Sequence, residues 1–497
     1  MEIPKNLSDA LIIVFFLLAY ILYHVHHFKL PFELIVLVSS ARENFDHRTI
    51  IRNTWACNES GELGYRRIKV YFVVGDKSCP FPTEDRVDAY SCCPWTPQAT
   101  HLQITNQEAL ISSVDDNKKS HQGNILEPQP VGLELTASRY PRLKLFIAFR
   151  ILHPIIIRKF GLHESIKADA SLPRIPVVLL NGANQEEVVR VHFSDIDSGI
   201  LQNNFYYQPV EAFLLPKDFE GILMLDIPEN TDISYSGNIN NISAVFCLPP
   251  DSDTVIYFYQ SNPNIRCWSQ LATNFIYDID DFGDLERHIT SRPERHKKWT
   301  AEKWIEEQRL LEEKNKFSDL MVVQQIDVYR NLANKLLLAQ KKLMKWHTYS
   351  YVLKSDDDCF LNLKQILKHL DSIEYKTFWF GKFRSNWAVD RYGKWAEWLY
   401  DSVVYPKFAC GSGNVITSDI SQWLANSSDY LKVYQGEDVT MGIWLAAAFG
   451  PVTVDDQRWH CTKTCSPDMF SMPDLTAEEL SRMWADNMNC GNPCGCE

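Results

Sequence analysis

The stretch Tyr349-Ser-Tyr-Val-Leu-Lys-Ser-Asp-Asp-Asp358 decides the fold class, because its apolar run predicts a buried strand that ends in three carboxylates. Open α/β sheets bind ligands at the carboxyl ends of their strands. Carboxylate oxygens at this spacing suit Mg²⁺ or Mn²⁺, and such an ion keeps open positions for water and substrate phosphates. A solvated acidic turn is the alternative, and the triplet taken alone favours it.

Strands and helices alternate on both sides of a long insert. Residues 34–40 and 68–75 have the composition of buried strands, and residues 45–55 have helical spacing. The same alternation resumes after residue 300, where a helix over 300–317 is expected to turn Trp304, Ile305 and Leu311 inward. Between them, short β-branched runs separated by polar connections predict a β-rich insert. The expected domains are therefore the two parts of one α/β domain, at 33–90 and 293–497, and the insert at 91–292.

The chain is acidic and begins with an apolar segment. Its 497 residues exceed a usual single core, and its formal net charge of −13 argues against nucleic-acid binding. Residues 10–23 are uncharged and almost wholly apolar, which predicts a signal-anchor transmembrane segment at 10–25 behind a cytoplasmic tail at 1–9. The fourteen apolar residues fall short of the roughly 20 that span a bilayer. A cleaved signal peptide is the alternative, but no small-x-small site follows Tyr23.

Cysteines and glycosylation motifs indicate the secretory pathway. The chain has 13 cysteines, which favours disulfides and an oxidising compartment, and the odd count leaves at least one unpaired thiol in a monomer. A zinc site in the cysteine-rich C-terminus is disfavoured, because no second CxxC pair or spaced histidine pair accompanies it. Glycosylation is predicted at Asn58, Asn241 and Asn426. We expect a single-pass type II protein of the endoplasmic reticulum or Golgi membrane with a luminal catalytic domain.

Two later motifs carry further chemistry. Gly411 and Gly413, in the segment 405–413, permit a close backbone approach. Glu437 and Asp438 bring two more carboxylates from a distant part of the chain. Each motif alone is also compatible with a turn or a helix cap.

In their order along the chain, these motifs resemble the β-1,3-glycosyltransferases of the fringe and galactosyltransferase type. The resemblance covers nearly all of residues 34–497. It is carried by residues 48–55, 72–75, 327–335, 353–358, 405–413 and 437–439, and it is closer still at 381–391 and 434–444.

The resemblance implies a GT-A fold, which is a Rossmann-like mixed sheet with helices on both faces, together with a UDP-sugar donor, Mn²⁺ (or Mg²⁺) and an inverting mechanism. It further implies transfer of N-acetylgalactosamine to the 3-hydroxyl of a terminal N-acetylglucosamine on a glycoprotein glycan, of the O-mannosyl type found on dystroglycan. Donors carrying galactose or N-acetylglucosamine stay open. A catalytically silent glycan-binding protein and a metal-dependent phosphohydrolase are the alternatives from other classes.

The resemblance also implies roles for individual residues. Asp438 is expected to be the base that takes the acceptor proton, with Glu437 as the second choice. Asp356 and Asp358 are expected to hold the metal, and Asp357 to contact the donor. The late histidine that relatives supply to the metal corresponds best to His460, although its surroundings depart from the family pattern. The other expected donor-binding residues are Arg48, Arg52, Lys335, Lys354, Gly411 and Gly413.

Overall fold

The computed structural model describes residues 32–57, 67–97, 143–164, 166, 174–194, 199–202, 205–227, 255–258, 273–448 and 450–496. The predicted anchor at 10–25 and the predicted glycosylation sites at Asn58 and Asn241 lie outside these residues.

The strands β1 to β20 run in chain order through the described residues. They are β1 Phe32–Ser39, β2 Ile68–Lys77, β3 Leu143–Ile151, β4 Ile155–His163, β5 Ile175–Asn181, β6 Glu187–Phe193, β7 Ile200–Gln202, β8 Phe205–Leu215, β9 Glu220–Ile227, β10 Ile256–Phe258, β11 Thr273–Ile279, β12 Leu320–Ile326, β13 Tyr349–Asp356, β14 Phe360–Leu361, β15 Phe378–Gly381, β16 Phe383–Arg384, β17 Phe408–Ala409, β18 Asn414–Thr417, β19 Val452–Asp455 and β20 Ser471–Met472.

The α-helices of the described residues are α1 Phe45–Asn53, α2 Phe282–Thr290, α3 Arg292–Lys316, α4 Leu332–Trp346, α5 Leu363–Leu370, α6 Ser418–Ser427, α7 Glu437–Ala447 and α8 Ala477–Cys490. Short 3₁₀ turns lie at Thr83–Asp85 and Tyr329–Asn331.

These elements form two compact units. Among the described residues, the first unit takes those up to Cys79, then Glu302–Ala388, then those from Ser402 onward. The second unit takes Pro80–Ala301 and the short segment Val389–Asp401. Each unit has its own hydrophobic core.

The first unit is built on a seven-stranded mixed sheet with the order β12-β2-β1-β13-β18-β15-β19. The first four strands are parallel neighbours, and β18 runs antiparallel to both β13 and β15. Consecutive residues of a strand point to opposite faces, and both faces are covered. Val36 and Leu353 belong to a core shared with α1, α5 and α8, while α4 packs over β1, β2 and β12.

Helix α3 turns charge inward and apolar side chains outward, opposite to the prediction. Trp304, Ile305 and Leu311 are 65%, 55% and 50% exposed, whereas Glu306 and Glu313 are buried. The prediction was wrong because buried arginines of the first unit require the carboxylates. Arg42 pairs with Glu306 at 2.8 Å, and Arg48 pairs with Glu313 at 2.9 Å. An unpaired buried charge is costly, so the ion pairs set the orientation of the helix.

The second unit contains two antiparallel sheets, with the orders β10-β3-β9-β5-β6 and β11-β4-β8-β7. One apolar core includes residues of both sheets, among them Phe149, Leu225 and Phe275. Two sheets that share a core in this way form a sandwich. The alternation of apolar and polar residues that predicted a β-rich insert arises from these half-buried strands.

The predicted transmembrane helix is corrected. In the residues that the structure describes, no helix combines the length and the apolar character that crossing a bilayer requires. The segment at 10–25 lies outside them, and its apolar run is shorter than the roughly 20 residues of a typical span. The observed fold class is therefore mixed α/β with a β-sandwich unit, and the single N-terminal transmembrane helix is withdrawn from it.

Disulfides are present as predicted. Cys410 pairs with Cys461, Cys465 with Cys494, and Cys490 with Cys496. All five cysteines of the C-terminal cluster are thereby used, which removes the zinc alternative for that cluster. Among the described cysteines, Cys57, Cys93 and Cys359 are free thiols.

Candidate active site

The acidic triplet lies where two central parallel strands end together. Ser39 of β1 is in register with Asp356 of β13, and the amide of Asp357 donates to the Ser39 carbonyl at 3.2 Å. Directly after the strand the side chains alternate in direction, so that Asp356 and Asp358 are partly exposed and Asp357 is buried. The triplet therefore offers two carboxylates outward and one inward.

Asp357 is held from β1 and α1. Its Oδ2 accepts a hydrogen bond of 2.5 Å from Ser40 Oγ and one of 3.0 Å from Asn44 Nδ2. Burial raises the pKa of Asp357, and these two hydrogen bonds oppose the increase. The sequence analysis missed Ser40 and Asn44. Ser40 could have been found, because it follows the strand that neighbours β13.

Arg48 does not face the site, which corrects the prediction that it contacts the donor. Its side chain is fully buried. Its Nε and one Nη donate to Glu313, and its remaining N–H groups donate to Ser40 Oγ and to the carbonyls of Ala41 and Arg42. Because Ser40 in turn donates to Asp357, Arg48 acts on the triplet through Ser40.

Arg52 and Lys335 are also engaged by carboxylates inside the first unit. Arg52 pairs with Asp319 at 2.8 Å and with Glu313 at 2.6 Å. Lys335 is buried and donates to Asp327 Oδ1 at 2.7 Å and to the Ser40 carbonyl at 2.9 Å. The structure therefore shows both residues in ion pairs of the first unit, and their contacts with the donor stay predictions.

Lys354 is the link between the two acidic motifs. It is buried in β13, and its Nζ lies 3.0 Å from Asp356 Oδ1 and 2.5 Å from Glu437 Oε1. It also donates to the Gly411 carbonyl at 2.7 Å. Burial works against its positive charge, but the carboxylates of Asp356 and Glu437 raise the pKa of Lys354 above its ordinary value. One ammonium thus joins the end of β13, the glycine segment and the start of α7.

Asp356 lies in an unusual electrostatic position for a carboxyl group. Burial raises its pKa to about 7, Lys354 opposes the increase, and the negative charges of Glu437 and Asp358 add to it. A carboxyl group in this position gains from any additional positive charge.

Asp438 occupies the first turn of α7 beside Glu437. Its Oδ1 accepts a hydrogen bond of 2.8 Å from the Val439 amide. A small cavity of about 50 Å³ lies next to it, lined also by Leu337, Met441 and Trp444. Burial raises the pKa of Asp438 to about 7, and the charge of Glu437 contributes to the increase. Such a group changes protonation near neutral pH, as a general base does.

The two predicted glycines have different roles. A Cβ at Gly411 would lie 3.2 Å from Glu437 Oε1 and 3.6 Å from Lys354 Nζ. The glycine therefore leaves room for the ion pair between Lys354 and Glu437. A Cβ at Gly413 would lie 2.6 Å from Cζ3 of Trp459. Gly413 therefore serves packing of the core, and Gly411 belongs to the site.

A divalent cation fits the exposed side of the triplet. Asp356, Asp358 and Cys359 each offer a ligand atom, and these atoms lie within 4.8 Å of one another. Burial raises the pKa of the Cys359 thiol, so the charged donors are the two carboxylates. Hard oxygen donors suit Mg²⁺ or Mn²⁺.

His460 is not part of this group of ligand atoms. Its ring nitrogens contact the Thr464 carbonyl and Ser466 Oγ. The described structure thus gives no support to His460 as a metal ligand, and that role stays a prediction.

Comparison with known proteins extends over nearly the whole chain. The galactosyltransferase family model matches residues 300–451. The chain is 35% identical to UDP-GalNAc:beta-1,3-N-acetylgalactosaminyltransferase 2 of Xenopus laevis, over 94% of this chain and 92% of that protein. The identity to the human protein of the same name is 34%, over 94% and 90%. A shorter match, 34% over 31% of this chain and 48% of the relative, is to beta-1,3-galactosyltransferase 6 of Mus musculus.

The raised pKa of Asp438 predicts a pH-dependent cost in stability. The folded protein retains a proton that the unfolded chain releases between the ordinary pKa of 3.8 and about 7. Keeping Asp438 ionised in the folded protein therefore lowers the free energy of unfolding. This loss of stability is absent below that pH range, grows across it and is complete above it. We expect Asp438→Asn to raise the melting temperature at pH 8 by roughly 2–4 °C, which corresponds to about 1 kcal/mol, with the gain vanishing towards pH 4.

Thermal unfolding followed between pH 4 and pH 8 measures this gain. Asp468→Asn, at an exposed position, is the control and should show no such trend. An equal shift for Asp438→Asn at all pH values would contradict the prediction.

Proposed function

This chain belongs to the galactosyltransferase family, and we propose that it transfers N-acetylgalactosamine from UDP-N-acetylgalactosamine to the 3-hydroxyl of a terminal N-acetylglucosamine on a glycoprotein glycan, of the O-mannosyl type. The identity of at least 34% to relatives named for this donor and linkage, over more than nine-tenths of the chain, supports the choice of donor.

The observation that carries the proposal is the Lys354 bridge. It brings Asp356, at the end of β13, and Glu437, at the start of α7, to the same ammonium group, although 81 residues separate them in sequence (437 − 356). Inverting transfer needs negative charge stabilised on the leaving diphosphate and a base on the acceptor side. The bridge supports the proposal because it holds these two groups of acids close together.

Asp438 is the base in this proposal. Its pKa near 7 lets it accept the proton of the attacking hydroxyl at neutral pH. Glu437 is the weaker candidate, because its Oε1 is bound to Lys354. Lys354 thereby holds Glu437 in place and fixes the first turn of α7, which orients Asp438.

Asp356 and Asp358 would hold Mn²⁺ or Mg²⁺ on the donor side. The bound cation supplies charge stabilisation for the departing diphosphate. Asp357 stays turned inward on Ser40 and Asn44, so its part is to fix the turn that presents its two neighbours.

We expect transfer with UDP-N-acetylgalactosamine to exceed that with UDP-galactose and UDP-N-acetylglucosamine when a β-N-acetylglucosaminide is the acceptor. Loss of the base in Asp438→Asn should lower kcat by roughly 100-fold or more while donor binding is kept. The wild-type rate should also fall about tenfold per pH unit below pH 7, as Asp438 becomes protonated. A donor screen with product analysis and a pH profile at saturating Mn²⁺ measure these effects.

Each outcome of the screen selects one function. A preference for another donor would replace the assigned sugar and keep the reaction type. Donor binding without transfer to any acceptor would identify a glycan-binding protein, and phosphate release without acceptor would identify a phosphohydrolase. Unchanged transfer by Asp438→Asn would place the base elsewhere.

Metal binding should depend on the two outward carboxylates. We expect Asp356→Asn and Asp358→Asn each to weaken Mn²⁺ binding at least roughly tenfold, because each removes one of the two charged oxygen ligands. Isothermal titration of Mn²⁺ into the EDTA-treated full chain in the presence of UDP measures this. Asp468→Asn is the matched control, and wild-type affinity in Asp358→Asn would rule out this site.

The proposal includes residence in the lumen of the endoplasmic reticulum or Golgi. The disulfides of the C-terminal cysteines and the exposed position of Asn426 in the last turn of α6 support it. We expect protein made in secretory cells to carry a glycan at Asn426, so that Asn426→Gln migrates faster in electrophoresis until both proteins are deglycosylated. Identical migration before enzymatic deglycosylation would contradict glycosylation of this residue.

A further inference from the structure

The cavity beside Asp438 lies within the first unit, since every described residue that lines it belongs to that unit. Its volume of about 50 Å³ exceeds the roughly 10–15 Å³ that one water molecule needs, so it has room for a group of a few heavy atoms. Three helices and the central sheet contribute to the lining. The residues that matter here are Leu337 and Gln340 of α4, Met441 and Trp444 of α7, and Asn414 of β18.

Three of these side chains form what we call the apolar wall of the cavity, namely Leu337, Met441 and Trp444. Leu337 and Trp444 are 3% and 6% exposed, so the wall is already largely removed from water. The indole Nε1 of Trp444 donates to the Lys432 carbonyl at 2.7 Å, which engages the only polar atom of that side chain. The wall therefore suits a small apolar group such as a methyl.

Gln340 brings an amide to the cavity. It is 7% exposed, and its Oε1 accepts a hydrogen bond of 2.5 Å from Ser421 Oγ, which in turn lies 2.7 Å from Tyr349 OH. In the part of the chain that the structure describes, Gln340 Nε2 has no hydrogen-bond partner. A buried N–H group that stays unpaired is costly, so a ligand with an acceptor oxygen would satisfy it.

Asn414 has the same arrangement on the sheet side of the cavity. It is 9% exposed, and its Oδ1 accepts from Trp379 Nε1 at 3.0 Å. An indole nitrogen can only donate, which fixes the amide oxygen towards Trp379 and leaves Nδ2 for other contacts. Among the described residues this Nδ2 is also without a partner. Two buried amides thus line one cavity with their oxygens bound elsewhere and their N–H groups unused.

These two kinds of lining define the chemistry of the occupant. The amides require an acceptor oxygen, because their remaining polar groups only donate. The apolar wall and the small volume require a short apolar group attached next to that oxygen. A carbonyl group that carries a methyl meets both conditions, and in a sugar this is the acetamido substituent. A hydroxyl in its place would leave the apolar wall uncovered.

We propose that this cavity is the subsite for the acetamido group of an N-acetylated sugar, in which Gln340 and Asn414 donate to the carbonyl oxygen and the apolar wall packs around the methyl group. The inference rests on the proposed function and deepens it, because the cavity lies beside the proposed base, where the reacting sugars meet. N-acetylgalactosamine of the donor and N-acetylglucosamine of the acceptor both carry this group. The experiment therefore has one arm for each sugar.

Two variants of the full chain change the cavity from different sides. Leu337→Phe fills it with a larger side chain, and Gln340→Met replaces the unused N–H groups by an apolar group of similar length. The matched controls are Met344→Phe and Lys345→Met, which make comparable changes on the same helix at residues that do not line the cavity.

Steady-state kinetics compares each sugar with the analogue that has a hydroxyl in place of the acetamido group. One arm compares UDP-N-acetylgalactosamine with UDP-galactose, and the other compares a β-N-acetylglucosaminide with a β-glucoside as acceptor. We expect both variants to lower the preference in kcat/KM for the N-acetylated sugar by roughly tenfold or more in one arm, and to leave it within about twofold in the other. The arm that responds identifies the sugar that enters the cavity. Both controls should keep the wild-type preference.

A second readout does not depend on turnover. Saturation-transfer difference NMR is recorded with UDP-N-acetylgalactosamine and, separately, with methyl β-N-acetylglucosaminide. For the sugar of the responding arm, Leu337→Phe should weaken the signal of the acetyl methyl relative to the ring protons, because the methyl group can no longer lie against the apolar wall. Met344→Phe should leave this ratio unchanged.

Three results would overturn the inference. They are an unchanged preference in both arms, an equal loss of kcat/KM with the N-acetylated sugar and its hydroxyl analogue, and an equal fall of the preference in both arms. If Leu337→Phe does not fold, Gln340→Met decides by the same criteria. Failure of the proposed function has a separate signature. Wild type would then transfer no sugar in either arm, while the NMR signal of the acetyl methyl would still show whether the cavity binds this group.

Discussion

The first unit depends on one buried ammonium group. Lys354 lies in the central strand β13 and bonds Asp356, Glu437 and the Gly411 carbonyl. Replacing it by an apolar residue would leave two partly buried carboxylates facing each other, and breaking a buried ion pair in this way typically costs about 3–5 kcal/mol. The need to satisfy this charge draws the glycine segment and the start of α7 onto the end of β13. A Cβ at Gly411 would lie 3.2 Å from Glu437 Oε1, so a side chain there would crowd this ion pair. The site is therefore assembled by the same interaction that stabilises the fold around it.

A second set of buried charges in the first unit stabilises the triplet through Asp357. Glu313 of α3 binds both Arg48 and Arg52, and Arg48 continues through Ser40 to Asp357. These pairs explain why α3 exposes apolar residues. They also explain why Asp357 is turned inward, since Ser40, which Arg48 holds, donates to it. The conformation of the turn after β13 is thus fixed at two residues. Lys354 binds Asp356, and Arg48 holds Asp357 through Ser40.

The sequence predicted well those features that local pattern determines. The strands expected at 34–40 and 68–75 and the helix expected at 45–55 agree with the observed elements within a few residues, because burial of alternating or periodic side chains is a local signal. The order of the acidic motifs also placed Asp356 and Glu437 in one site. The roles of Arg48, Arg52 and Lys335 were not predictable in this way. Each is neutralised by a carboxylate from another element, and for the arginines the partner Glu313 is more than 260 residues away. Propensity and spacing carry no information on such pairing, and for the same reason the orientation of α3 was predicted wrongly.

Burial of Asp438 makes this residue a stronger base and at the same time lowers the stability of the folded protein. The apolar lining that raises its pKa makes it a stronger base, yet the folded protein must hold an unfavourable carboxylate above pH 7. Lys354 offsets the charge of Glu437 through a direct contact, whereas Asp438 accepts a hydrogen bond from the Val439 amide, and the positive charges of Lys354 and Arg384 oppose the increase in its pKa.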